Sequence, residues 1–132
     1  MDPVVHFEMP YHDRDRAAAF YAATFGWQTQ MLGEEMGNYL LLTTALDDAR
    51  PGAPAGAIDG GMFPHRPDMP GQHPSVVIGV DDIAAAMRRV EAGGGKVLGE
   101  PMLIPGVGRY VAFTDTEGNR LSMLEALPPP TA

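Results

Sequence analysis

Two side chains near the start of the chain, His6 and Glu8, combine an imidazole with a carboxylate. Both alternate with the apolar Val5, Phe7 and Met9, so a β-strand here would turn His6 and Glu8 to the same face. A histidine beside a carboxylate can act as a general base next to a carbonyl, or it can orient a ligand by a hydrogen bond. It can equally be a structural histidine that is satisfied within the protein, and the sequence leaves these three interpretations open.

Composition limits the remaining chemistry. The chain has 132 residues, 45% of them hydrophobic, which is enough for one domain with its own core. It has no Cys, so disulfides, thiolate metal ligands and Cys nucleophiles are excluded. A net charge of −8 without a basic stripe argues against a nucleic-acid partner. No apolar run is long enough for a membrane span, and the N-terminus has no secretory pattern, so a cytoplasmic protein without membrane contact is expected.

The elements that must position these side chains occur twice along the sequence. An apolar strand, an Asp-capped amphipathic helix and a glycine stop recur after 69 residues, pairing His6 with Ser75, Asp13 with Asp82 and Gly26 with Gly95. Neither copy can bury its own sheet face alone, so the two copies are predicted to pack together around a ligand cavity.

The predicted elements follow the same order in both copies. The first has strand 4–9, helix 16–25 and strands 27–32, 38–44 and 57–63; the second has strand 75–80, helix 83–92 and strands 96–101, 109–115 and 120–125. The first helix is predicted to face the sheet through Ala17, Phe20, Tyr21, Thr24 and Phe25. One domain, 1–132, would then comprise module one at 4–63, with a Pro/Gly/Ala-rich break at 50–56, a linker at 64–74, module two at 75–126 and a disordered tail at 127–132.

Short motifs in both halves resemble one protein family. They are His6-Phe7-Glu8-x-Pro10, Phe25-Gly26-Trp27, Val80-Asp81-Asp82, the glycines 93–95, Ile-Pro-Gly-Val-Gly at 104–108 and Phe-Thr-Asp-x-x-Gly-Asn at 113–119. They resemble the vicinal oxygen chelate superfamily, which includes glyoxalase I, extradiol dioxygenases, fosfomycin-resistance enzymes and bleomycin-binding proteins. The resemblance implies an α+β fold of two tandem βαβββ modules whose curved mixed sheets enclose a cleft. It also implies a homodimer.

The metal ligands of that superfamily can be carried over position by position. The resemblance places them at His6, Ser75, about Gly60 (within one residue) and Ser122. Only His6 is a good ligand, since a hydroxyl is a weak donor and glycine has no side chain. We therefore expect no metal or other cofactor, which discounts glyoxalase I and dioxygenase chemistry. Alternation turns Asp59 away from the Gly60 face. The alternative is a displaced divalent-metal site in which Glu8 joins His6 and His65 or His73 reaches in from the linker.

Strand parity predicts the other residues of the ligand cavity. Phe113 suits the layer beneath the second helix, which leaves the ligand-binding candidates Ser75, Tyr110, Ser122 and Leu124 on the cavity side. The sequence thus predicts a protein that binds a small organic molecule, cationic if the negative charge reflects its ligand. The alternative is an enzyme, a lyase, isomerase or epimerase related to lactoylglutathione lyase, with His6 and Glu8 as its catalytic residues. A regulatory or accessory subunit is a third interpretation.

Overall fold

The computed structural model describes residues 1–45 and 58–128. The elements are β1 (Val4–Tyr11), α1 (Arg14–Phe25), β2 (Gln28–Met31), a 3₁₀ turn (Glu34–Met36), β3 (Leu40–Thr43), β4 (Asp59–Pro64), β5 (Ser75–Gly79), α2 (Ile83–Ala92), β6 (Lys96–Ile104), β7 (Gly108–Thr114) and β8 (Arg120–Ala126). The predicted α+β order of two βαβββ modules is confirmed. The predicted break at 50–56 and the tail residues 129–132 lie outside the described residues.

The chain divides into two compact units. The N-terminal unit is His6–Pro74, and the C-terminal unit combines Met1–Val5 with the chain from Ser75 onward. The strand order is β2-β3-β4-β1 in the N-terminal unit and β5-β8-β7-β6 in the C-terminal unit. In each unit the first strand of the module pairs in parallel with its last strand, and the other pairs are antiparallel. The two copies therefore share one topology.

Both helices begin at the predicted aspartates. Asp13 Oδ1 accepts a hydrogen bond from the Arg16 amide at 3.0 Å, and Asp82 Oδ1 accepts one from the Ala85 amide at 3.1 Å. These bonds satisfy amide groups that the first helical turn leaves without partners. α1 ends at Gly26 in the left-handed conformation, and α2 ends at Ala92 with Gly93 as its cap, both as predicted. Both α-helices of the described residues are too short or too polar to cross a membrane.

The C-terminal unit has a core between α2 and its sheet. Ile83 and Ala86 on the buried side of α2 pack against Val111, Phe113 and Met123 from β7 and β8. Phe113 therefore lies beneath the helix, as its position in the alternating strand predicts. This leaves Tyr110 and Ala112 for the opposite face of β7.

The N-terminal unit packs its helix differently from the prediction. Ala18 is buried, with Ala17 and Tyr21 beside it, and they pack on a cluster formed by Leu40, Leu42 and Met62. The expectation that Phe20, Thr24 and Phe25 face the sheet is wrong, because all three are exposed, Phe20 by 54% and Phe25 by 61%. The two alanines have the small side chains that allow a helix to lie close to a sheet, and the Tyr21 ring stacks on Trp27 at 4.8 Å.

Candidate functional site

The polar face of β1 carries the two candidate catalytic residues. Phe7 and Met9 pack on the core of the N-terminal unit, so His6 and Glu8 project from the opposite face of the strand. Both polar side chains are half-buried. The predicted alternation of β1 is therefore confirmed, although it does not by itself show what His6 and Glu8 contact.

Tyr39 joins His6 to Glu8. Its hydroxyl donates a hydrogen bond to Glu8 Oε2 at 3.0 Å, and His6 Nε2 lies 2.9 Å from the same hydroxyl oxygen. The two rings are nearly parallel, with centroids 6.3 Å apart. The structure thus brings the two predicted residues together through Tyr39, a residue that the sequence motifs do not indicate. We call His6, Glu8, Tyr39, Asp59 and Gly61 the His6 cluster.

The backbone before β3 positions Tyr39. Gly37 and Asn38 both adopt left-handed conformations, which turn the chain from the 3₁₀ segment into the strand. The Tyr39 carbonyl accepts a hydrogen bond from the Leu32 amide at 2.9 Å, and the Tyr11 hydroxyl donates to the Asn38 carbonyl at 2.7 Å. Alternation in β3 indicates the face on which Tyr39 lies, although it does not show which side chains Tyr39 contacts. The neighbouring Leu40 and Leu42 are fully buried, which sends residue 39 to the polar face.

Two adjacent glycines of β4 accommodate an aromatic ring on each face of the strand. A Cβ atom on Gly60 would overlap the Phe7 ring on the core side, and one on Gly61 would overlap the Tyr39 ring on the polar side. The register pairs Glu8 with Gly61 and, in the other unit, Val77 with Ser122. The glycine that corresponds to Ser122 is therefore Gly61, one residue beyond Gly60 and within the predicted margin.

Asp59 shares the polar face with His6. It is the register partner of His6 on the parallel strand β4, and Gly60 lies on the Phe7 side. Asp59 lies opposite the Gly60 face, as alternation predicts, but the candidate site is on the face of Gly61, so Asp59 belongs to that site and is not turned away from it. Asp59 Oδ1 accepts hydrogen bonds from the Thr44 and Ala45 amides at 2.7 and 3.1 Å, so the carboxylate also fixes the end of β3.

The environment of His6 favours the neutral ring. Burial lowers the pKa of His6 below its ordinary value of 6.5, and this effect outweighs the negative charges of Glu8 and Asp59, which raise the pKa. The ring is therefore neutral at pH 7, with one N–H group and one nitrogen that carries a lone pair. A neutral imidazole can accept a hydrogen bond or remove a proton.

The described residues do not fit a divalent-metal centre. Within 1–45 and 58–128, no three side chains from His, Asp and Glu come together in positions that could hold an ion. His6 and Glu8 both bond to Tyr39. The His65 and His12 rings contact each other in a tilted arrangement with centroids 4.5 Å apart, and His73 is exposed with its Nδ1 near the carbonyl of the next residue, Pro74. A catalytic transition metal usually needs three or four protein ligands, so we derive no metal step.

The C-terminal unit contains a second polar pair, Tyr110 and Ser122. Their hydroxyl oxygens lie 2.6 Å apart, and Ser122 is 4% exposed. The register pairs Tyr110 with Leu124, Ala112 with Ser122, and Ser122 with Val77. Ser75, two residues before Val77 and half-buried, projects to the same side. The four ligand-binding candidates thus share one face of their sheet, and their contact with a ligand stays a prediction.

Comparison with known proteins identifies relatives along most of the chain. The sequence model of the Glyoxalase/Bleomycin resistance protein/Dioxygenase superfamily matches residues 4–123. CFP32 of Mycobacterium tuberculosis, named as a glyoxylase, is 36% identical over 115 residues, which are 86% of this chain and 40% of CFP32. The anthracycline biosynthesis protein DnrV of Streptomyces peucetius is 32% identical over 120 residues, 85% of this chain and 42% of DnrV. The chain thus spans about two fifths of these relatives.

Other matches cover most of the length of both proteins. A glyoxylase-like domain-containing protein of Didymella fabae is 34% identical over 115 residues, which cover 85% of this chain and 84% of that protein. Among solved structures, protein BH1468 of Bacillus halodurans C-125 has a TM-score of 0.71 with 13% identity, covering 99% of both chains. Methylmalonyl-CoA epimerase of Streptomyces coelicolor, in complex with 2-nitronate-propionyl-CoA, has a TM-score of 0.68 with 22% identity, covering 96% of this chain and 98% of the enzyme. At these identities the two structures show the shared fold alone.

Proposed function

Because this chain belongs to the Glyoxalase/Bleomycin resistance protein/Dioxygenase superfamily, we propose that it binds a small organic molecule at the polar face of the His6 cluster. The observation that carries this proposal is the double hydrogen bond of the Tyr39 hydroxyl, to His6 Nε2 and to Glu8 Oε2. The two side chains that could begin a metal site are held together by a neutral hydroxyl instead. The proposed binding therefore needs no divalent metal.

The surroundings of His6 support a specific polar contact with a ligand. His6, Glu8 and Tyr39 are half-buried, so they combine partial desolvation with access from solvent. Hydrogen bonds in such a place are stronger and more selective than on an open surface, because water competes less. A fixed imidazole and carboxylate are what a binding module needs to orient a small ligand.

Charge and relatives support an organic cation as the ligand. The chain carries 17 acidic against 9 basic residues. The negative charges of Glu8 and Asp59 lie close enough to His6 to raise its pKa, against the larger effect of burial. A negative surface concentrates cationic molecules before they bind. Two relatives, from Streptomyces peucetius and Streptomyces sp., are named for anthracycline biosynthesis. An anthracycline with an amino sugar, such as daunorubicin, is therefore the first probe.

The test is titration of daunorubicin followed by its fluorescence, in buffer with EDTA and in buffer with Zn²⁺. We expect saturable binding that EDTA leaves unchanged. His6→Ala should weaken binding about tenfold, the equivalent of one hydrogen bond of roughly 1.4 kcal/mol. His73→Ala is the matched control, an exposed histidine of the same unit, and should bind like the unchanged protein. The proposal would be contradicted if binding required Zn²⁺, or if neither substitution changed the affinity for daunorubicin.

A second function is favoured by the neutral state of His6. An imidazole with a lowered pKa is unprotonated at pH 7 and can remove a proton from a carbon next to a carbonyl, as an isomerase, lyase or epimerase requires. In D₂O, a deuteron from solvent would replace the proton that His6 removes. The probe is methylmalonyl-CoA, because the fold neighbours include its epimerase. Deuterium at C2 that disappears in His6→Gln would support this function, and no exchange above the rate without protein would remove it.

We also propose that the protein acts as a homodimer. The aromatic side chains of Phe20 and Phe25 on α1 are more than half exposed, and exposed aromatic side chains are enriched at protein interfaces. Light scattering coupled to size-exclusion chromatography measures the mass directly. A mass of 14.1 kDa at all concentrations would contradict the dimer.

A further inference from the structure

The Tyr39 hydroxyl donates a hydrogen bond to one of its two partners and accepts one from the other. A tyrosine hydroxyl has one hydrogen to donate, and a carboxylate has none. Because the hydrogen of Tyr39 points to Glu8 Oε2, the 2.9 Å contact between the Tyr39 oxygen and His6 Nε2 requires a hydrogen on the imidazole. The direction of one hydrogen bond thereby fixes the direction of the other.

This proton count assigns the tautomer of His6. A neutral imidazole carries one N–H, and burial lowers the pKa of His6 so that the neutral form is present at pH 7. With that hydrogen on Nε2 and directed to Tyr39, the lone pair of the ring is on Nδ1. His6 then offers an acceptor, and not a donor, to any molecule that reaches Nδ1.

The position of Tyr39 is held from three sides. Its ring lies against the backbone of Gly61, where even a Cβ atom would overlap it. The preceding Asn38 carbonyl is bound by the Tyr11 hydroxyl, and the Tyr39 carbonyl is bound by the Leu32 amide. The hydroxyl therefore meets His6 and Glu8 at a fixed place, which is the requirement for a residue that sets the state of another.

We propose that Tyr39, seated on Gly61, is a positioning residue that holds His6 as the Nε2–H tautomer, so that Nδ1 selects ligands carrying an O–H or N–H donor. This selection rests on the proposed binding function, and it narrows the ligand class to phenols, enols, ammonium groups and similar donors. A ligand that presents only acceptors at this position would face the lone pair of Nδ1 and be repelled.

The tautomer can be measured without any ligand, by long-range ¹H–¹⁵N correlation spectra of the histidine rings at pH 7. We expect the Nε2–H pattern for His6. In Glu8→Leu the Tyr39 hydrogen loses its acceptor and turns to His6 Nε2, so the ring hydrogen should move to Nδ1. In Tyr39→Phe the preference for Nε2–H should weaken. An Nδ1–H pattern in the unchanged protein, or one pattern in all variants, would overturn the proposal.

Tyr21→Phe is the matched control for these spectra. It also removes a tyrosine hydroxyl in the same unit, but the Tyr21 ring stacks on Trp27 on the core side, so the substitution leaves Tyr39 and the contacts that hold it in place. We expect the His6 pattern to remain Nε2–H. The amide spectrum of each variant reports whether the fold is retained, and a loss of the His6 pattern in Tyr21→Phe as complete as in Tyr39→Phe would assign the effect to general loosening and overturn the specific role.

Ligand selection is tested with phenol and anisole, which share a ring and differ by the O–H donor. We expect phenol to shift the His6 Nδ1 resonance and anisole to leave it unchanged. Equal shifts, or none from phenol, would overturn the selection. Failure of daunorubicin to bind would remove the proposed anthracycline-like ligand, but it would leave the tautomer and phenol results intact, so the two failures are distinguishable.

Discussion

The two units share one arrangement of strands but contain two kinds of polar site. In each, the first strand pairs in parallel with the last, and a tyrosine from the third strand or the residue before it brings its hydroxyl to the polar face. Tyr39 crosses Gly61 to reach the titratable His6 and Glu8, whereas Tyr110 reaches the neutral hydroxyl of Ser122. The difference lies at one equivalent position of the last strand, where glycine gives room to a ring and serine provides a partner.

The helices differ in a similar way. α2 buries Ile83 and Ala86 against its sheet, while α1 buries Ala18 and leaves Phe20 and Phe25 exposed. A large aliphatic side chain fills the space under one helix, and the rings of Tyr21 and Trp27 fill it beside the other. The duplicated pattern therefore conserves strand pairing more strictly than it conserves the composition of the two cores.

The largest expected effects come from the two cores. Leu40 and Ile83 are almost fully buried, one in each unit, and replacing either by Ala should lower the free energy of unfolding by about 2–5 kcal/mol. Thr24→Ala should change it by no more than about 0.5 kcal/mol, because the side chain is exposed on α1. Urea titration followed by circular dichroism gives all three values. A cost for Thr24→Ala equal to that for Leu40→Ala would contradict the helix orientation.

The difference between Gly61 and Ser122 predicts the next largest effect. A Cβ at Gly61 overlaps the Tyr39 ring, so Gly61→Ala should cost about 1–3 kcal/mol of stability and weaken the bond between Tyr39 and His6. In a Tyr39→Ala background the same substitution should cost less than about 0.5 kcal/mol, because the overlapping ring is gone. The double-mutant cycle is measured by urea unfolding. Equal costs in both backgrounds would show that Tyr39 does not occupy this space.

A smaller effect is expected from the hydroxyl pair of the C-terminal unit. Ser122 is buried and bonds to Tyr110, so Ser122→Ala and Tyr110→Phe should each cost about 1 kcal/mol. The double variant should cost little more than either single one, because both remove the same hydrogen bond. Additive costs in thermal and urea unfolding would contradict a direct bond between the two hydroxyls.

The smallest expected effect is the change of the free energy of unfolding with pH, which tests the lowered pKa of His6. Burial lowers the pKa of His6 below 6.5 in the folded protein, despite the nearby carboxylates of Glu8 and Asp59. As the pH falls below 6.5, the unfolded chain takes up this proton first, so the free energy of unfolding decreases down to the lowered pKa and is unaffected above 6.5. His6→Gln removes this contribution. Identical pH profiles for the two proteins between pH 7 and 5 would contradict the shift.

Much of the fold could be predicted because the sequence patterns that indicate its helices and strands span only a few residues. Asp13 and Asp82 cap helices through bonds that span three residues, and the alternation of β1 places Phe7 and His6 on opposite faces whatever the rest of the chain does. The orientation of α1 could not be predicted in the same way. An aromatic periodicity resembles a buried stripe, but the helix side chains that pack on the core of this unit are Ala17, Ala18 and Tyr21.

The candidate site was predicted in part. His6 and Glu8 follow from residue type and spacing, whereas the place of Asp59 on their face depends on the register between β1 and β4, which neither strand contains alone. Tyr39 was missed because it lies 33 residues from His6. Only strand pairing brings it across Gly61, and no local pattern encodes that contact.

The sequence by itself determined the duplicated βαβββ order, the helix starts and the presence of one histidine and one carboxylate on a shared strand face. These features depend on residue propensities, capping and alternation over a few neighbouring positions. Only the tertiary structure decided which tyrosine bonds to that pair, which way the single hydroxyl hydrogen points and which glycine gives the ring its place. These outcomes depend on pairing between distant strands, where a shift of one residue exchanges the two faces of the sheet.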